Sequence, residues 1–272
     1  MREPLLRTMC RLAIGSSLLL AHLSCDMPVR TRESPTSQSN QTKLTRESDA
    51  LFQAVRSDDL VAVKESLNHK ADPNARDRYG FTPLMIASIR GSVEVVLALI
   101  NAGADVNAAN PSAHATPLNM AILGRKPGVI KTLVASGVNV NAPDSQGRTA
   151  LHDVVEKGDL ELLKALLAAP ASDPNVKDKL GHTPLMASYT LGYEGVLMLL
   201  NKGADVNAKS NTGRTALMEA TTAKASGAVK ILLERGADVN AKDNDDWTAF
   251  NEALLTGCAD IIGMLEKAGA KN

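Results

Sequence analysis

Thr82-Pro83-Leu84-Met85 sets the period of this chain. Related starts follow at Thr116, Thr149, Thr183, Thr215 and Thr248, at spacings of 34, 33, 34, 32 and 33 residues. A steady period near 33 marks a repeat array, in which each unit is one supersecondary module. Residues 81–107 show the plan. Thr82 is placed to cap a helix with its hydroxyl, and Pro83 falls at the first helical position, where its missing N–H costs nothing. Leu84, Ala87 and Ser88 recur at helical spacing until Gly91. Val93, Val96, Leu97 and Ile100 form a second apolar stripe, and Gly103 ends it.

Gly-Ala-Asp-Val-Asn closes the unit at 103–107 and recurs intact at 203–207 and 236–240, with a close variant at 137–141. A first unit without the Thr-Pro start keeps Leu51, Ala54 and Ala71-Asp72-Pro73-Asn74. A last one ends after Gly269-Ala270. On these motifs residues 48–272 resemble the ankyrin repeat family. The resemblance implies an all-α solenoid of about seven helix-turn-helix units. Short β-turn or β-hairpin fingers would project from it and line a concave groove. Non-enzymatic protein binding is the function it implies.

Departures from the family pattern predict where the stack is irregular. Met85, Asn119, Met186, Met218 and Asn251 stand where the family often has the histidine that His152 retains. They are expected to lose a local hydrogen bond. Lys224 takes the place of Gly91, and unit four lacks a capping glycine near Pro170-Ala171-Ser172. The short spacing after Thr183 predicts that the second helix of unit five is one residue short, so 168–200 should be least regular. Tyr189 there either reaches the groove or fills the space left by the shortened helix. Polar residues at both ends, Gln53, Arg56, Asp58, Asp59, Lys64 and Glu65 in the first unit and Glu252, Asp260, Glu266, Lys267 and Lys271 in the last, read as end caps that make the array complete.

The front of the chain has another character. Arg2, Arg7 and Arg11 precede the apolar run Leu12–Leu23, too short to span a bilayer and built like a secretory signal. Leu23-Ser24-Cys25 resembles the end of a bacterial lipoprotein signal, with His22 off pattern. This reading makes 1–24 a signal peptide, Cys25 the lipidated residue and 25–47 a flexible, Ser/Thr/Asn-rich tether. It places the array at a bacterial envelope membrane, facing the periplasm. A secreted soluble form and an uncleaved chain are the alternatives.

Composition narrows the chemistry. The chain is formally neutral, without the clustered basic excess of a nucleic-acid binder. Cys10, Cys25 and Cys258 offer no intramolecular disulfide once Cys25 is lipidated. His22, His69, His114, His152 and His182 are too scattered for a local metal pair, so neither metal nor cofactor is expected. Cys258, at the start of the last helix, reads as a packing residue.

Binding is assigned to the residues before each Thr and at the finger tips. The expected contacts are Arg78, Tyr79, Phe81, Arg148, Lys179, His182, Arg214 and Trp247, types favoured at interface anchors. The protein is expected to be a monomer bound to a protein partner. An immunity role against a secreted antibacterial effector and a scaffold for a periplasmic stress-protective enzyme are the two sharper forms of that expectation.

Overall fold

The structure is a computed structural model that describes residues 38–111 and 115–271. By its contacts the chain divides into two units, 1–42 and 43–272, and the repeats lie in the second. The expected lipoprotein signal, Cys25 and the first part of the expected tether fall outside the described residues.

Helices come in pairs: α1 (Gln38–Arg56) with α2 (Leu60–Asn68), α3 (Pro83–Arg90) with α4 (Val93–Asn101), α5 (Pro117–Leu123) with α6 (Pro127–Ala135), and α7 (Ala150–Glu156) with α8 (Leu160–Leu167). Unit five has α9 (Pro184–Ala187), a 3₁₀ turn (Ser188–Leu191) and α10 (Gly192–Asn201). Then come α11 (Ala216–Thr222) with α12 (Ser226–Glu234), and α13 (Ala249–Thr256) with α14 (Ala259–Lys267). No strand occurs among the described residues, so the fingers are turns. The expected all-α solenoid of seven units is what the chain forms.

Helices this short are marginal alone, and tertiary packing must hold them. From unit two to unit seven each first helix packs on the next first helix, α3 on α5 through α11 on α13. The second helices do the same from α2 on α4 to α12 on α14. Leu84, Ala87, Val95, Val96 and Leu99 of unit two are fully buried, as are their counterparts in unit three, Ala121, Val129, Ile130 and Leu133. One continuous core therefore runs through the stack.

The closing Asp-Val-Asn sequence acts as a stitch between units. Asn207 donates through Nδ2 to Gly236 O and accepts from Asp238 N–H at 2.8 Å. Asn74, Asn141, Asn175 and Asn240 make the same pair of bonds to the unit that follows each. Each such bond is worth about 0.5–1.5 kcal/mol net, at the lower end on a wet surface. Gly236 takes a φ of +85°, a conformation that favours glycine, while its carbonyl faces the stitching amide.

The structure differs from the expectations at several points. α1 begins at Gln38, so the end of the expected tether is helical, in a stretch from Gln38 to Glu47 that contains no Pro or Gly. Asn119 and Asn251 keep the local bond assigned to histidine alone. Their Oδ1 atoms accept from the N–H of Thr116 and Thr248, both at 3.0 Å, because an amide oxygen reaches the same place as Nδ1. Lys224 is left-handed, as its place in the repeat requires, and Arg125 does the same in unit three.

The end caps also differ. Glu252 is buried beside Arg214 and caps nothing. Leu254 stands 51% exposed, although Ser88, Ile122, Val155 and Thr221 at its position in other units are at most 1% exposed under the next repeat. Unit five is irregular as expected. The residue is not lost from the second helix as expected: α10 keeps ten residues, while α9 has four and gives way to the 3₁₀ turn, which leads into α10 at Gly192, φ +64°. Thr190 Oγ1 anchors that turn by donating to Val155 O at 2.6 Å.

Candidate protein-binding face

Repeat register places three positions of each unit side by side: the residue before the Thr, and the residues four and seven after it. Arg148 shows this in unit four. It follows an Asp144-capped turn and is half-buried, with Nη2 donating to Asp153 at 3.0 Å and also to Glu156. Arg214 repeats the arrangement in unit six. Nε donates to Glu219 at 2.6 Å and Nη2 to Thr222 at 3.0 Å, while Nη1 crosses to Glu252 of unit seven at 2.7 Å. Asp243 lies 3.8 Å from the same Nη1.

Carboxylates and guanidinium groups tune each other here. Burial works to lower the Arg214 pKa, but hydrogen bonds to Glu219 and Glu252 hold it well above the ordinary value. Arg148 is likewise raised against its own burial, by Asp153 and Glu156. Burial pushes the Asp153 carboxyl up, and the pull of Arg148, which is shared with Glu156, does not fully offset it. Tyr189 sits half-buried in the 3₁₀ turn between the two clusters. Burial, then Glu219 and Glu156, raise its pKa, so the phenol lies in the field of both carboxylates.

His152 belongs to the scaffold of this face. The Thr149 N–H donates to Nδ1, so Nε2 carries the proton and donates to His182 O in the next unit, both at 3.0 Å. Burial, before the nearby Arg148 charge, lowers its pKa.

The expected contact residues fare unequally. Arg148 and Arg214 are not free anchors, because their own carboxylates hold them. His182 is half-buried with Asp178 Oδ2 at 3.6 Å from Nδ1, and Phe81 packs partly into the core. Ala115, at the same position in unit three, is buried.

At the finger tips, the Arg78 guanidinium covers the Tyr79 ring at 4.8 Å. Lys179 is exposed, and its backbone N–H joins the neighbouring finger at Gln146 O. These tips belong to different units and do not converge on one spot. Trp247 is the exposed one of the group before the Thr residues, at 41%.

Leu255, seven residues after Thr248, was missed by sequence reasoning and is 72% exposed. Its signal was its place in the period, where Glu156 and Thr222 stand in other units. Cys258 is half-buried and makes no side-chain cap bond.

Among the described residues no group of three metal-binding side chains converges, and no helix is long and apolar enough to cross a membrane. The arrangement offers fixed charges and exposed apolar area.

Comparison with known proteins agrees. The model for ankyrin repeats (3 copies) matches residues 17–110, 109–178, 151–243 and 208–272, and the chain belongs to that family. Its fold is similar to that of the ankyrin repeat domain of Bcl-3, a member of the IkappaB family. The TM-score is 0.72 at 28% identity, covering 80% of this chain and 97% of the other. A mitochondrial disaggregase of Bos taurus is 35% identical over 138 residues, 50% of this chain and 20% of the relative. Neurogenic locus notch homolog protein 1 of Danio rerio is 34% identical over 165 residues, 55% of this chain and 7% of the relative. The chain thus spans a small part of these curated relatives. Ankyrin repeats are a general protein-interaction scaffold, and this chain carries that scaffold.

Proposed function

We propose that this chain acts by binding a protein on the face from Arg148 to Leu255, without catalysis, while a lipid on Cys25 holds it at a bacterial envelope membrane with the repeats towards the periplasm. The carrying observation is the pair Trp247 and Leu255. They occupy register positions that units four and six fill with internally bonded polar groups, and they leave apolar side chains open to water. Exposed aromatic and aliphatic groups beside fixed charges suit an interface core with a polar rim. A rigid stack limits the ordering cost of docking. The lipid reading rests on Leu23-Ser24-Cys25 after a short apolar run. Neutralising a secreted effector and scaffolding an envelope enzyme both start from this docking step. They differ in whether the partner loses its activity on binding.

Two measurements test the parts separately. Metabolic labelling with palmitate should mark the chain and fail with Cys25→Ala; equal labelling of both refutes the anchor. Capture followed by mass spectrometry should return a protein that Trp247→Ala combined with Leu255→Ala loses. Retention by that variant refutes the face.

A further inference from the structure

Resting on that docking face, the charges and the exposed apolar groups together specify what docks. The positions four and seven residues after each Thr read Ile86 and Ile89, Met120 and Leu123, Asp153 and Glu156, Ala187 and Thr190, Glu219 and Thr222, then Glu252 and Leu255. Units two and three are thus apolar and largely closed, with Ile86 and Met120 at most 5% exposed. From unit four on, Asp153, Glu156, Glu219 and Glu252 face two basic groups, Arg148 and Arg214. Both guanidinium groups are already spoken for, so a visitor meets a surplus of two carboxylates. Unit five interrupts the row with the short Ala187 and Thr190, leaving Tyr189 between Glu156 and Glu219. Their side chains are 42% and 26% exposed, so each keeps open acceptor capacity.

We infer that the partner docks a segment carrying one Lys or Arg over Tyr189, between Glu156 and Glu219, and one large apolar side chain over Trp247 and Leu255. A cation there meets two part-exposed carboxylates beside a half-buried phenol. The apolar side chain removes from water the exposed area that unit seven presents. The two contacts lie two units apart. With helix layers packed about 8–10 Å apart, that is roughly 16–20 Å. An extended segment rising about 3.3 Å per residue spans it in about five or six residues. An acidic segment would meet the carboxylate surplus and be repelled.

The test is a selection of random 12-residue peptides displayed on phage against the immobilised full chain carrying Cys25→Ser. The enriched peptides should pair Lys or Arg with Trp, Phe or Leu five or six residues away. Their affinity should fall about tenfold or more on Glu156→Gln combined with Glu219→Gln, a variant checked for folding by circular dichroism. Leu255→Glu should remove binding that depends on the apolar residue. Acidic or uncharged winners, no enrichment at all, or a basic preference that survives the double Gln change overturn the inference. So does concentration-dependent self-association in sedimentation that Leu255→Glu abolishes, since a second copy then covers the patch. A protein partner captured through Trp247 and Leu255 without such a basic residue defeats this inference and leaves the docking reading standing.

Discussion

Arg214 Nη1 donates to Glu252 Oε1 at 2.7 Å across 38 residues of chain, tying unit six to unit seven. Glu252 is 9% exposed and has replaced solvent with this guanidinium. The pair is therefore more than a surface ion pair, because removing one partner strands the other in a dry place. Arg214→Ala should cost about 2–4 kcal/mol, somewhat under the roughly 3–5 kcal/mol for breaking a fully buried pair, because both side chains keep some exposure. Arg214→Lys should recover part of it, since an ammonium cannot serve Glu219, Glu252 and Thr222 with one planar fork. Urea unfolding followed by fluorescence of Trp247, the single tryptophan, reads this directly in the neighbouring unit.

His152 makes one interface pH-sensitive. Its folded pKa lies below the ordinary 6.5, because burial disfavours the imidazolium and Arg148 adds to this. The His182 carbonyl, Asp178 and Asp153 pull the other way. The unfolded chain then binds the proton more readily than the folded one. The stabilising contribution is complete above about pH 6.5 and is lost as pH falls towards and through the folded value. Asp153 acts with the opposite sign at lower pH. Its raised pKa means that the folded state holds the proton longer than the unfolded one. His152→Asn should keep the Thr149 bond, as Asn119 and Asn251 do in their units, and lose the bond to His182. The expected result is about 1 kcal/mol lower stability at neutral pH and a smaller loss between pH 6.5 and 5. Unfolding midpoints across that range check it.

Lys224 sits at φ +55° where Gly91 sits at +99°. A left-handed conformation costs an L-residue about 1–2 kcal/mol, partly offset by the greater chain entropy that glycine brings to the unfolded state. Lys224→Gly should therefore stabilise the chain by about 0.5–1 kcal/mol. Thermal unfolding of the two proteins side by side settles the sign.

The repeat period carried most of the architecture. Thr82-Pro83 and its echoes located every first helix of units two to seven, since capping and the proline preference act within a few residues. The shortened spacing after Thr183 located the irregular unit, though not the 3₁₀ turn that resolves it. Longer-range outcomes were not legible. Whether Arg148 and Arg214 point to a partner or to their own carboxylates depends on Glu156 and Glu252, which are 8 and 38 residues away. Leu255 looked like a helix residue among others until the fold showed no neighbour over it. Local rules fix helix ends, while the proposed binding face is made of what the stack leaves uncovered.

Site-specific photocrosslinking in cells shows whether a protein docks on the face around Leu255. A benzoylphenylalanine at Leu255, on the proposed face, and one at Leu97, exposed on a second helix, are compared. A discrete protein adduct should form from position 255 and none from position 97, with the 255 adduct lost on Trp247→Ala. The same adduct from both positions, or an adduct from position 97 alone, would contradict docking on that face.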